Sequence, residues 1–125
     1  MSVVNQLEDK VMKLVFANTS FAAITTIFAS LHTADPGETA TASYLASTSF
    51  ESITFNTPTS TVTNAAAVTF TCNATGTVTA ISLRSASTTG AGVGLWYGNL
   101  TANKTVANSG DQVSLASAAL TVTLT

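Results

Sequence analysis

Charge is what this sequence has least of: 8 % of its 125 residues are Asp, Glu, Lys or Arg, with Lys+Arg 4, Asp+Glu 6 and a formal net charge of -2, where an ordinary soluble domain carries about 25 %. A chain with so few cations and no basic cluster presents no field for phosphates, which excludes general binding of nucleic acid or of anionic membranes. Cys72 is the one cysteine, so an internal disulfide is impossible and the redox compartment stays open. His32 is the one histidine, so a zinc or iron site would have to borrow scattered carboxylates or a neighbouring subunit, and no metal or cofactor is expected. The uncharged stretch Leu14 to Leu31 approaches a membrane span in length, but Asn18, Thr19, Ser20, Thr25 and Thr26 break it, so no membrane association is expected. Glu8 and Asp9 stand where a secretory leader would have its apolar stretch. The Asn-x-Ser/Thr sites at Asn18, Asn73, Asn99 and Asn103 are what chance supplies in a threonine-rich chain, and without a leader they imply no glycosylation.

Threonine takes the place of the missing charge. The chain holds 24 Thr and 20 Ala beside a normal 46 % of apolar residues, which predicts a surface of small neutral hydrogen-bonding groups suited to packing in an assembly. Its length fits a single domain, burying about two-thirds of the unfolded surface without staples. Val4, Leu7, Val11, Leu14 and Val15 recur at three- and four-residue steps, the stripe of an amphipathic helix from about Val3 to Phe16 with Ser2 as its cap and Asp9 and Lys13 as an acid-first pair. From Phe21 the pattern turns β-branched and aromatic, predicting a strand to about Leu31 before the breaker Asp35-Pro36-Gly37.

Strand alternation is plain in Ile53 and Phe55, in Val68, Phe70 and Cys72, and in Leu120, Val122 and Leu124, each with threonines on the other face. Turns are signalled at Asn56-Thr-Pro58, Asn73 to Gly76, Gly90 to Gly94, Asn103-Lys104 and Asn108 to Asp111. The segment Val78 to Leu83 mixes parities, as a bulge or a strand buried on both faces would. The expected fold is mainly β: residues 1–18 form an N-terminal helix and residues 19–125 an antiparallel β-sandwich of the jelly-roll or immunoglobulin-like kind, in a single domain.

Little in the chain is arranged for chemistry. Cys72 follows the inward parity of Val68 and Phe70 and reads as a small buried hydrophobe. His32 ends a strand and reads as an imidazole bonded to nearby backbone. Asp35 and Glu38 are the one carboxylate pair close in sequence, but Asp35 before Pro36 is a turn residue first. Gly90-Ala-Gly92-Val-Gly94 lacks the spacing of a phosphate cradle and no helix pattern follows it, so it reads as a flexible hairpin loop. Trp96 and Tyr97 point to opposite faces of a strand, Trp96 inward and Tyr97 outward. Arg84 serves either as an interface ion-pair donor or as a plain surface arginine. No catalytic residue emerges, and a small hydrolase built on Asp35, Glu38 or His32 is disfavoured.

The N-terminal helix with Leu7-Glu8, the tract Leu31-His-Thr-Ala-Asp-Pro-Gly37, the strand Asn64 to Phe70, Gly76-Thr-Val-Thr79, and the closing run from Tyr97 through Val106, Ser109-Gly-Asp111 and Ala119 to Leu124 together resemble a family of short virion proteins of tailed bacteriophages, often labelled tail fibre or minor structural proteins. The likeness lies in the order of the pieces along nearly the whole chain. It departs from the family pattern between Ala42 and Ile53, where an aromatic-rich Gly-Tyr-Ala-Arg-like strand is usual. The resemblance implies a non-enzymatic component of the virion. Two roles follow: a capsid decoration or cement protein that binds the assembled head surface as a homotrimer, the leading expectation, or a tail or tail-fibre-associated protein that adheres to the host surface through Tyr97 and the Gly90 to Gly94 loop. Expected partners are the major capsid protein or tail proteins of the same particle together with further copies of the chain, and the expected interface residues are Val4, Leu7, Val11, Leu14, Arg84 and Tyr97.

Overall fold

A computed structural model of the chain describes residues 2–45, 50–88 and 91–123. Gly90 of the glycine-rich loop and Leu124 at the end of the last expected strand lie outside those residues. The chain opens with a two-residue strand, β1 (Ser2–Val3), and then the helix α1 (Asn5–Phe16). Ser2 does not cap the helix. Its backbone pairs with Tyr97, and the N-cap is Val4, which makes no side-chain cap bond. Tertiary partners take over the orphan N–H groups of the first turn: Val4 donates to the Leu95 carbonyl at 3.0 Å and Asn5 to the Glu38 carbonyl at 3.1 Å. Asp9 and Lys13 form the expected pair at 2.8 Å on the exposed side of α1.

The strands that follow are β2 (Ile27–His32), β3 (Glu51–Ile53), β4 (Thr61–Thr63), β5 (Val68–Thr71), β6 (Gly76–Arg84), β7 (Gly94–Val106), β8 (Gln112–Leu115) and β9 (Thr121–Thr123). All pair antiparallel, so the mainly β architecture with one N-terminal helix stands. One sheet has the order β1-β7-β6-β2-β3, and two smaller sheets pair β4 with β9 and β5 with β8. Residues 21–26, expected to begin β2, are not part of it despite their β-forming composition. β2 starts only at Ile27, where Ile53 is its partner, and Phe28 already faces Arg84 at the end of β6. Upstream of that point no neighbouring strand among the described residues extends to receive the backbone, and propensity without a partner does not make a sheet.

The mixed parity of Val78 to Leu83 has both of its offered causes. Val78 pairs with Lys104 and Ala80 with Asn99, so Thr79 alone stands opposite four residues of β7 in a wide bulge. Asn103 falls in that bulge and Lys104 pairs with Val78 at its edge, so the two lie inside β7 instead of forming a turn. Beyond it β6 is buried on both faces. Ile81 and Leu83, with Ala29 and Leu31 of β2, belong to the apolar core shared with Phe70, Val113, Leu120 and Val122 of the smaller sheets. Ser82 and Arg84, with Ser30 and His32 of β2, are equally buried and form a polar layer on the opposite face. That second face is covered by the segment 33–45 and the root of α1.

The two small sheets form one bent ribbon, in which β4 and β5 run antiparallel to β9 and β8. The run Asn64 to Phe70 is therefore interrupted rather than continuous. At the break the buried Asn64 donates from Nδ2 to the carbonyls of Ala66 at 2.8 Å and Ala116 at 2.9 Å, and its Oδ1 accepts the Leu120 N–H at 2.9 Å. The side chain replaces the ladder bonds that the bend removes.

Candidate functional site

The helix stripe divides in two. Val4 and Leu7 are buried in the chain's own core. One turn further the same stripe runs off the sheet: Val11 is 43 % and Leu14 46 % exposed, flanked by Met12 at 57 %, Val15 at 63 % and Phe16 at 77 %. Five large apolar side chains on the outer half of a 12-residue helix form a patch of the kind that marks an interaction site. Met12 and Phe16 lie off the 3–4 stripe, and sequence periodicity does not single them out. The ammonium of Lys10, on α1, lies 5.8 Å from the centre of the ring of Phe21, which follows the helix.

Arg84 and Tyr97 are placed by the polar face of the sheet. Arg84 is buried, neither on the surface nor in an ion pair among the described residues. Its guanidinium donates to carbonyls on both sides: Ala91 at 2.9 and 3.2 Å, and Thr39 and Ala40 at 3.4 Å each. It thereby ties the segment 33–45 to the described part of the glycine-rich loop. That part is held further by Val93 N–H to Ser85 Oγ at 2.8 Å and by the positive φ of Gly92, where a Cβ would lie 2.7 Å from Ala86. It is a fastened turn and not a free hairpin tip. Trp96 and Tyr97 do take opposite faces, yet both are half-buried against the core, and the Tyr97 hydroxyl donates to a Glu38 carboxylate oxygen. The Trp96 Nε1 is buried without a partner.

The candidate chemical groups do not converge. Asp35 accepts the Gly37 N–H at 2.8 Å, the side-chain turn expected before Pro36, while Glu38 faces Tyr97. Cys72 is buried at the end of β5, its N–H bonded to the Asp111 carbonyl. His32 sits in the polar layer, its Nδ1 2.7 Å from the Ala42 carbonyl and its Nε2 2.7 Å from Ser82 Oγ and 3.3 Å from Ser30 Oγ. Burial holds its pKa below the ordinary value, opposed by the bond to Ala42 and assisted by the charge of Arg84. Serine and histidine thus meet in geometry, but in a place closed to solvent. No group of three or more His, Cys, Asp or Glu able to hold a metal occurs among the described residues. An open groove of about 530 Å³ lies beside the β7 bulge, floored by Leu31, Ile81, Val113 and Leu120 and bordered by Lys104. It contains no aromatic ring on which a sugar could stack. No helix among the described residues is long and apolar enough to cross a membrane.

Comparison with known proteins adds one finding. The family model described as "Podophage GP4 fiber I protein gp80" matches residues 2–123. None of the curated proteins matches the chain.

Proposed function

This chain belongs to the podophage GP4 fiber I protein gp80 family, and from that premise we propose that it is a non-enzymatic building block of the phage fibre, joined to further copies of itself through the outer half of α1. A fibre-type structural protein of the virion associates with other virion proteins, and this family supports a place in the tail over the head-surface decoration expected above. The observation that carries the assembly reading is the uncovered continuation of the helix stripe, Val11, Leu14 and Val15 with Met12 and Phe16 beside it. The first half of the stripe already shows what it packs against, a neutral apolar surface of this same chain. A second copy supplies more of that chemistry, and a neutral, threonine-rich surface opposes its approach with little repulsion. The residues expected at the interface then divide by role: Val11 and Leu14 make the contact, while Val4, Leu7, Arg84 and Tyr97 hold the helix and the sheet that present it.

The test is the double substitution Val15→Asp with Phe16→Asp. Both side chains are exposed, so the melting temperature should stay within a few degrees. The solution mass should fall from that of the oligomer, three chains if the expected trimer holds, to that of one, and incorporation into purified particles should fall at least tenfold by quantitative mass spectrometry. Wild-type mass together with wild-type incorporation would refute the assembly role. The copy number per particle separates the two locations: a few to a few dozen fit a tail fibre, whereas hundreds, near the count of the major capsid protein, would restore head decoration.

A further inference from the structure

We propose that His32 is an acid-operated latch, which in its neutral form fastens the segment 33–45, and through it the root of α1, to the polar face of the sheet. The hydrogen bonds fix its state. The Ala42 carbonyl can only accept, so Nδ1 carries the proton, and the Nε2 lone pair is left to accept from the Ser82 hydroxyl. Ser82 Oγ then receives the hydroxyl of Ser30 at 2.9 Å. The ring is fully buried and lies against Tyr44, tilted by 32° with 4.5 Å between centroids, and Tyr44 bonds back to the Ala40 carbonyl.

What the latch holds can be traced bond by bond. Thr33 N–H donates to Ser43 O and Leu45 N–H to Leu31 O, which closes the segment into a loop over the sheet. From that loop Glu38 gives its carbonyl to the N–H of Asn5 at the start of α1 and its carboxylate to Tyr97, and Thr39 and Ala40 give their carbonyls to Arg84. A second proton on His32 would not break the hydrogen bonds outright, since the two hydroxyls can rotate to accept from Nε2–H. The obstacle is first the loss of water and then charge. Tyr44 of the loop lies against the ring, the Arg84 cation of β6 acts on it through charge, and Tyr97 of β7, opposite Ser82, gives its hydroxyl to Glu38. Asp35 and Glu38 on the same loop are engaged elsewhere, with Gly37 and Tyr97. An imidazolium would therefore be buried away from water with no carboxylate bonded to it among the described residues, and the charge of Arg84 adds to that cost. Lifting the loop hydrates the ring and removes that cost.

The sign follows from proton binding. The opened form exposes His32 with an ordinary pKa of 6.5, while the closed form binds the proton only at lower pH, so opening is favoured as pH falls below 6.5 and is unaffected above it. While the closed form stays neutral, the opening constant rises about elevenfold over its high-pH value at pH 5.5 and about thirtyfold at pH 5.0.

The test is amide hydrogen exchange on the full chain, corrected for the intrinsic pH dependence of exchange. The reporters are the amides of Thr33, Leu45 and Asn5, with Cys72, bonded to Asp111 in the ribbon, as the reference. The expected result is loss of protection by those factors at the three reporters with Cys72 unchanged, and a flat response in His32→Gln. Reporters that stay flat in the wild type, reporters that move together with Cys72, or an undiminished response in His32→Gln would each overturn the latch. Should the Gln variant fail to fold, the wild type decides alone. The chain has one histidine, so its imidazole resonance needs no assignment, and titration of the folded form at the ordinary histidine value would overturn the proposal.

Discussion

Asn64 provides the most direct test of how the ribbon is held together. Replacing it with alanine removes three hydrogen bonds at a position with no exposed surface. The carbonyls of Ala66 and Ala116 belong to exposed residues and can be rehydrated, but Leu120 is buried and its N–H loses its acceptor. Counting about 0.5 kcal/mol for each of the two carbonyls that can be rehydrated and about 1–3 kcal/mol for the one stranded buried donor, Asn64→Ala should cost about 2–4 kcal/mol, or about 8–16 °C in melting temperature for a domain of this size. Asn64→Asp sharpens the test. It keeps an acceptor for Leu120 but turns a carboxylate toward two carbonyl oxygens, so it should be at least as damaging at pH 7 and should recover part of the loss near pH 4, where a protonated acid can donate to one of them. Urea unfolding followed by circular dichroism measures both, with the exposed Asn56→Ala, whose amide reaches only Thr63 Oγ1, as the reference. A cost below 1 kcal/mol for Asn64→Ala, or an Asp variant as stable as wild type at pH 7, would refute the account of Asn64 as the link across the bend.

The other substitutions probe how α1 and the turns are fastened. Arg84→Lys keeps the buried charge but cannot reach the carbonyls of Thr39, Ala40 and Ala91 at once, so it should lose about 2–3 kcal/mol in urea unfolding; wild-type stability would mean that the planar fork is not what matters. A Cβ at Gly94 would lie 3.1 Å from Val4 Cγ2, 3.2 Å from Thr39 O and 3.3 Å from Arg84 Nη1, so Gly94→Val should cost about 1–3 kcal/mol and should raise exchange at the Asn5 amide before any amide of the ribbon. Asp111 Oδ2 accepts the N–H groups of Ala107 and Asn108, and Asp111→Ala should cost about 1 kcal/mol by thermal melting. Lys13→Ala breaks the exposed pair with Asp9 and should change stability by less than about 0.5 kcal/mol.

The helix was legible because its signal is local: apolar residues at three- and four-residue steps need no partner to be recognised, and only its first turn was misjudged, where Ser2 went to the sheet. Val68, Phe70, Cys72 and Val122 were legible as core because one face of each strand is wet. Residues 21–26 were not legible, for the opposite reason. Their β-branched content reports a preference, and whether a strand forms depends on a neighbour set by Ile53 and Arg84, far along the chain. Arg84 misled most. An arginine at a strand end reads as exposed, because the carbonyls of residues 39, 40 and 91 that receive it come together only in the folded loops. A trace of that layer is present in the sequence, since Ser30 and His32, like Ser82 and Arg84, are spaced by two and alternate with apolar residues. The alternation shows a second face without showing that the face is covered. Tyr97 likewise depends on Glu38, which no periodicity connects to it.

The parts held tightly and the parts left open are connected through the root of α1. Its first turn is fixed from four directions: Val4 in the core, Val4 N–H on Leu95, Asn5 N–H on Glu38, and Gln6 Oε1 accepting the Gly94 N–H at 2.7 Å. From Val11 onward the apolar side chains have no such hold, although the helix is properly closed at its far end by Ala17 and Thr19 N–H groups on the Lys13 carbonyl. A rigid root and an uncovered outer half place the apolar side chains in a fixed direction before any partner arrives, which lowers the ordering entropy of association. On the proposed assembly through α1, the buried polar layer has a part that its own residues do not perform by contact. In that proposal Arg84, Glu38 and Tyr97 would set the angle at which Val11, Leu14 and Phe16 are offered, and a substitution among them should weaken assembly while leaving those side chains as exposed as before.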